Sequence, residues 1–204
     1  MIIEHEGQVP RIHPTAYIAP NAVISGDVEI GAESRVLFGA VITADGGPVR
    51  IGTRVTVMEN ALIRGRARFA SMIGDFGLVG PHAHLNGTRI GAKVFVGTGA
   101  TFFPGSVVGD RAVVRNNGIV HVNTHLPADA VVPIGWIALG HPVSILPPDE
   151  HDEITRLLAQ LRFRETVYGV DSEYDADSEG SLMPTIAERN AVMFGRHVRD
   201  KIVG

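Results

Sequence analysis

An apolar residue returns at a spacing of six through most of the first two thirds of the chain, at Ile18, Ile24, Ile30, Val36, Ile42, Ile51, Val57, Ile63, Ile73, Val79, Leu85, Ile90, Val96, Phe102, Val108, Val114, Val120, Leu126 and Val132. Of the 18 intervals between these anchors, 15 are six residues. A period of six matches neither the 3.6 of an α-helix nor the two of a half-buried strand. It fits very short strands joined by tight corners, each anchor pointing into a slender interior. Four places after an anchor the residue is small or β-branched, as at Ala22, Val28, Ser34, Ala40, Ala61, Ala83, Ala100 and Ala112. Stacked coils of this kind make an all-β solenoid.

The repeat accounts for a chain of 204 residues that is 45% hydrophobic but only 6% aromatic, since rings do not fit a narrow prism. The absence of cysteine excludes disulfide scaffolds, cysteine nucleophiles, Cys-ligated zinc and iron–sulfur clusters. The formal charge is −4, and Asp171, Glu173, Asp175, Asp177 and Glu179 contribute −5 of it, leaving about +1 for the remainder. Neither sum suggests a nucleic-acid partner. The opening MIIEHEGQVPRIHP lacks a basic region followed by an apolar one, and no run of 18 apolar residues occurs, so the expectation is a soluble, cytoplasmic chain with no membrane partner.

The sequence divides into a lead-in segment 1–17, a solenoid 18–146, a C-terminal helix 147–168, and an acidic linker with a terminal helix over 169–204. In the first helix Ile154, Leu157, Leu158 and Leu161 share a face expected to pack along the solenoid. In the last, Ala187, Ala191, Phe194 and Val198 stand at helical spacing.

Within residues 10–146, the segments PRIHPTAYIAPNAVISGDVEIG, GAVITADGGPVRIG, VTVMENALIRG, IGDFGLVGPHAHLNGTRIG and VPIGWIALGHPVSILPP resemble the gamma-class carbonic anhydrases, a family of hexapeptide-repeat proteins, in their order and in two irregular loops. The resemblance implies a left-handed parallel β-helix with three hexads per coil. It also implies a homotrimer whose intersubunit clefts hold zinc on three histidines, two from one chain and one from its neighbour. Three neutral imidazoles leave a fourth position for a water that ionises near neutral pH. The family's ligand positions fall here at Arg64, Pro81 and Asn86. Proline has no ligating side chain, arginine only donates, and a neutral amide is a poor zinc ligand. The usual zinc site is therefore not expected, and no cofactor is implied by motif. The family's Arg-Gly-Asp element falls at Thr43, Ala44 and Asp45, and its Gln-Asp pair at Met58 and Glu59.

Counting hexads three apart puts Thr43, Arg64, Asn86, Phe103 and His121 in one column, which in the family faces the active cleft, with Glu59 and Pro81 on the adjoining face. Arg64 opens the run RGRAR, a cationic group suited to a carboxylate, phosphate or bicarbonate. The expected function is a rebuilt intersubunit pocket for a small carbonyl, carboxylate or bicarbonate-like ligand. Arg64, Asn86, Asp45 and Thr43 would bind it, and His82, His84, Arg64 and Glu59 would carry any chemistry. Three alternatives stand beside it: zinc-dependent carbonic anhydrase activity with ligands relocated to His82, His84 and His121; CoA-dependent acyl transfer with His82 or His84 as the base; and a non-catalytic trimeric scaffold. Against the binding role stands an ion pair of Arg64 with Asp45 or Glu59, and against the histidines a corner position for His82 and packing for His84. His5 and His13 belong to the N-terminal entry, His141 to the exit, His151 to the helix start and His197 to the tail, while surface or packing roles outweigh metal for His121 and His125.

Overall fold

The computed structural model describes residues 1–170 and 182–204. Strands of two or three residues stack into a left-handed parallel β-solenoid of triangular section. Two faces are seven-stranded sheets, and the third is a ten-stranded sheet. Neighbouring strands within a face are three elements apart in sequence, so each coil contributes one strand to every face. The register pairs anchor with anchor: Ile42 with Ile63, Ile63 with Leu85, and Leu85 with Phe102.

The anchors form the core as the repeat requires. Ile24, Ile42, Ile63, Leu85 and Leu126 are at most 2% exposed, interleaved with Ala22, Ala40, Ala61, Ala83 and Ala100. Each fully buried aliphatic side chain contributes about 1.5–3 kcal/mol relative to exposure. Phe102 is the one aromatic ring among the fully buried core residues described, and Trp136 packs against them partly buried.

Many corners carry a residue at positive φ, among them Asn60, His82, Asn117 and Asn123. The His82 position is therefore a corner, and its side chain is exposed.

The long face is finished at both ends by antiparallel strands. Ser144–Leu146 folds back on Ile137–Leu139 at one end. At the other, the last strand, Lys201–Ile202, pairs with the first, Ile2–Glu4, bringing the chain's two ends together.

The segment after the solenoid forms two short helices, α1 (His151–Gln160) and α2 (Phe163–Tyr168), separated by Arg162 at φ 53°. They pack on the long face: Ile154 is buried, and the Asn123 amide donates to the Leu161 carbonyl at 3.1 Å and to the Thr166 hydroxyl at 3.0 Å. The acidic stretch assigned as a linker lies, over 171–181, outside the described residues.

A third helix, α3 (Met183–Phe194), runs into a 3₁₀ turn, Gly195–Arg199. Its buried residue is Ile186, whereas Ala187 and Ala191 are exposed and Val198 is 87% exposed. The helix stops at Phe194, so Val198 does not continue its stripe, and the turn that follows serves to carry His197 inward.

Candidate functional site

The column drawn from hexad counting is real. Arg64 pairs in register with Thr43 on one side and Asn86 on the other, and Phe103 stacks on His121 with ring centroids 4.7 Å apart. The column's two ends differ. At the far end α2 covers it: Phe163 packs edge-on against Phe103 at 5.7 Å and lies 5.4 Å from His121. Burial there pushes the His121 pKa from 6.5 down to about 4, while its Nδ1 accepts the Val122 N–H at 2.9 Å.

At the near end lies a charged knot built on Asp45, whose side chain is 6% exposed. The Thr43 hydroxyl donates to Asp45 Oδ1, and Arg64 Nε stands 3.0 Å from Asp45 Oδ2. Arg64 thus pairs with Asp45 rather than Glu59. Its guanidinium also lies 5.7 Å from the Phe194 ring centre, within reach of a cation–π attraction.

Behind Asp45 comes a group that sequence spacing could not reveal. His197 Nε2 faces Asp45 Oδ1 at 3.6 Å, and its Nδ1 donates to Asp200 Oδ2 at 2.8 Å. The other oxygen of Asp200 accepts from His5 Nδ1 at 2.6 Å. His5 is 3% exposed, and its Nε2 has no partner. Both histidines had been assigned to the ends of the chain. Only the pairing of first and last strands unites them, and nothing in the repeat announces that pairing.

His5, His197 and Asp200 are, among the described residues, the group of three metal-capable side chains closest to a ligand set. The centre is therefore altered from the three-histidine pattern. As folded it is a hydrogen-bonded clamp. The rings stack with centroids 4.5 Å apart and planes 26° from parallel, so their in-plane lone pairs do not converge on a point about 2.0–2.1 Å from each nitrogen. His82, His84 and His121 are not brought together as a ligand set. The family's own zinc positions do not fit zinc either: Arg64 is engaged by Asp45, Pro81 offers no side-chain donor, and Asn86 is a buried amide whose Oδ1 is unpartnered.

A cavity of about 540 Å³ opens beside Arg64 and Asp45. Its floor is the loop Gly65–Phe69, and its walls come from the end of α2 and one side of α3. The loop is a tight turn closed by mutual backbone bonds of 2.9 Å between Arg66 and Phe69. Glycines 47 and 65 let it nest against the preceding coil: a Cβ on Gly47 would collide with the Arg66 carbonyl, and one on Gly65 with that of Gly47. Arg66 donates to the Val167 carbonyl and Arg189 to the Tyr168 carbonyl, each at 2.7 Å, satisfying carbonyls at the C-terminal end of α2. Burial and then the neighbouring Arg64 charge lower the Arg66 pKa.

Of the residues read from sequence, Arg64 and Asp45 line this cavity; Thr43, Asn86, Glu59, His82 and His84 do not. Thr43 supports Asp45 from behind. Glu59 is half-buried at the corner where its carbonyl accepts the His82 N–H at 3.0 Å. His84 is half-buried, its Nε2 is unpartnered, and burial followed by the Arg64 charge lowers its pKa.

A left-handed solenoid of six-residue repeats with helices folded onto one face defines the hexapeptide-repeat class. Within that class the chain is similar to gamma carbonic anhydrases, with residues other than three histidines at the centre. It is 30% identical over 131 residues to gamma carbonic anhydrase 1, mitochondrial, of Arabidopsis thaliana, covering 61% of this chain and 47% of that one. It is 30% identical over 109 residues to the carnitine operon protein CaiE of Escherichia coli K12, covering 53% and 56%. A carbonic anhydrase of Geobacillus kaustophilus is 28% identical over 157 residues, covering 77% and 83%. The chain spans about half the length of the first of these curated relatives. Among solved structures, a proposed acetyltransferase from Bacillus cereus superposes with a TM-score of 0.64 at 25% identity, covering 79% of this chain and 92% of that one. No family model matches the chain. The similar proteins thus include carbonic anhydrases, a carnitine operon protein and a proposed acetyltransferase. Among the described residues, no helix is long and apolar enough to cross a membrane.

Proposed function

We propose that this protein binds a small carboxylate, carbonyl or bicarbonate-like ligand at Arg64, in a homotrimer, without a three-histidine zinc centre. The observation that carries this reading is Arg64 itself. Its partly exposed guanidinium stands at a family ligand position, ion-paired with Asp45 across 3.0 Å from Nε, on the wall of an open cavity. An arginine held on one edge keeps donors for a planar anion. Asn86, in the neighbouring register position, has an amide with spare hydrogen-bonding capacity. His82 at its exposed corner, His84 and Glu59 lie on the adjoining edge, where a neighbouring subunit would bring them to a shared cleft. The trimer is supported by apolar side chains left outside on one seven-stranded face, including Tyr17, Phe95 and Val131 at 43–45% exposure.

Calorimetric titration with acetate and bicarbonate, on wild type and Arg64→Gln, tests the binding claim. Loss of binding in a variant with unchanged elution volume and melting temperature is the expected result. Equal affinity in both proteins overturns it. Light scattering on the eluting peak tests the trimer. Acyl transfer from CoA is the second reading, supported by the likeness to the Bacillus cereus protein. Absence of a thermal shift with millimolar acetyl-CoA would remove it.

A further inference from the structure

A ligand the size of bicarbonate leaves most of this cavity empty. Pockets of 300–1,000 Å³ hold drug-sized molecules, whereas one water accounts for about 30 Å³. A cavity of about 540 Å³ belongs to the first class.

The lining is divided in kind. Arg64, at one side, already has its carboxylate in Asp45. Arg66 and Arg189 are bonded to backbone carbonyls, which fix their positions but bring no full negative charge. Arg68 has no acceptor among the described residues and is exposed at the rim. Two carboxylates beside Asp45 face the same space. Glu165 is paired with Arg162 at 2.7 Å, leaving Glu188 as the local counter-charge. Arg196, which also lines the cavity, is paired with Glu6 at 3.3 Å, so Arg66, Arg68 and Arg189 stand against one free carboxylate, and a cationic excess of this kind favours an anion. The lining also includes apolar side chains, Val192 and Met193 of α3, and Tyr168.

We propose that the cavity takes a two-ended organic anion, one carboxylate on Arg64, an apolar body along Val192 and Met193, and a second anionic group on Arg66, Arg68 and Arg189. This rests on the reading of Arg64 given above and extends it from a small anion to a dicarboxylate-like molecule. The second subsite is built by α2, α3 and the loop, so it lies within one chain and does not require a neighbouring subunit.

Paired acids of equal length separate the two claims. Wild-type protein is titrated calorimetrically with butanoate and succinate, then with hexanoate and adipate, with inorganic phosphate as the probe for a bare dianion. The dicarboxylate is expected to bind about tenfold or more tightly than its monoacid partner, and more tightly than phosphate. Arg68→Ala, which removes an exposed side chain with no bonds to lose, is expected to erase most of that advantage while leaving monoacid binding unchanged. Arg66→Gln, which retains a donor for the Val167 carbonyl, should do the same. Equal affinity for monoacid and diacid overturns the second subsite and leaves the Arg64 reading standing. Phosphate binding as tightly as adipate, with the same dependence on Arg68, overturns the two-ended ligand. No heat from any acid sinks both claims.

Discussion

The imidazole rings of His5 and His197 stack with centroids 4.5 Å apart, joining residues from opposite ends of the chain. Asp200 lies between their Nδ1 atoms and accepts from both. This clamp closes the open end of the long face. It also fixes the turn that follows α3, and α3 is a wall of the cavity.

Stability should therefore depend on the charge of Asp200. Burial alone would raise its pKa, but hydrogen bonds from His197 and His5 outweigh burial and hold the carboxyl below its ordinary 3.8. A carboxyl depressed in the folded state gives stabilisation that is present above the unfolded value and lost as pH falls through the folded one. Asp200→Asn should cost about 1.5–3 kcal/mol at pH 7, the usual range for hydrogen bonds to a charged group. It should also flatten the acid limb of the melting curve below about pH 4. An unchanged acid limb would mean that the clamp does not hold the chain ends together.

His121 predicts a second acid effect at a higher pH. Its pKa is lowered by burial from 6.5 to about 4, so the fold prefers the neutral ring. The associated stabilisation is complete above about 6.5 and declines as pH falls toward about 4. Because Phe163 of α2 packs on this ring, the first consequence should be undocking of α1 and α2, seen as faster amide exchange over 151–168 at pH 4–5 than at pH 7. His121→Asn keeps an acceptor near the Val122 N–H but does not titrate in this range. It should lower docking at every pH yet lose the pH dependence.

How far the sequence revealed this molecule follows from the range of its interactions. The solenoid was legible because every anchor repeats a local rule: Ile63 meets Ile42 and Leu85 by counting alone. The same counting placed Arg64 beside Thr43 and Asn86. It did not place Asp200 between His5 and His197, since a strand pairing across the whole chain has no period. Nor did it show that α2 and α3 wall the cavity. Nor did helical spacing name a partner for α3, whose buried residue is Ile186.

The cavity floor depends on close backbone approach, which gives a prediction at Gly47. A methyl group there would meet the Arg66 carbonyl, a backbone atom that a rotamer change cannot move aside. Gly47→Ala should displace the Arg66–Phe69 turn, costing about 1–3 kcal/mol as overpacking does. It should also weaken adipate binding at least as much as Arg68→Ala. Melting temperature and titration on the same sample decide it. Normal binding with reduced stability would show that the turn relaxes without moving its arginines.

The most informative substitution is at Asp45, because its carboxylate both holds Arg64 and competes with any anion for it. Removing one member of a buried ion pair is commonly worth about 3–5 kcal/mol. Arg64 is 28% exposed, so water screens part of that and the loss on Asp45→Asn should fall nearer about 1–3 kcal/mol. The Thr43 hydroxyl keeps an acceptor in the asparagine oxygen, which limits the damage. Anion binding should move the opposite way. With the resident carboxylate gone, the Arg64 guanidinium is free for ligand, and acetate affinity should rise severalfold while stability falls. If affinity falls together with stability, Asp45 is needed to aim the guanidinium, and the pair acts as one positioned group. The double variant Asp45→Asn with Arg64→Gln should bind no acetate and recover part of the lost stability, since no unpaired charge then remains at the knot.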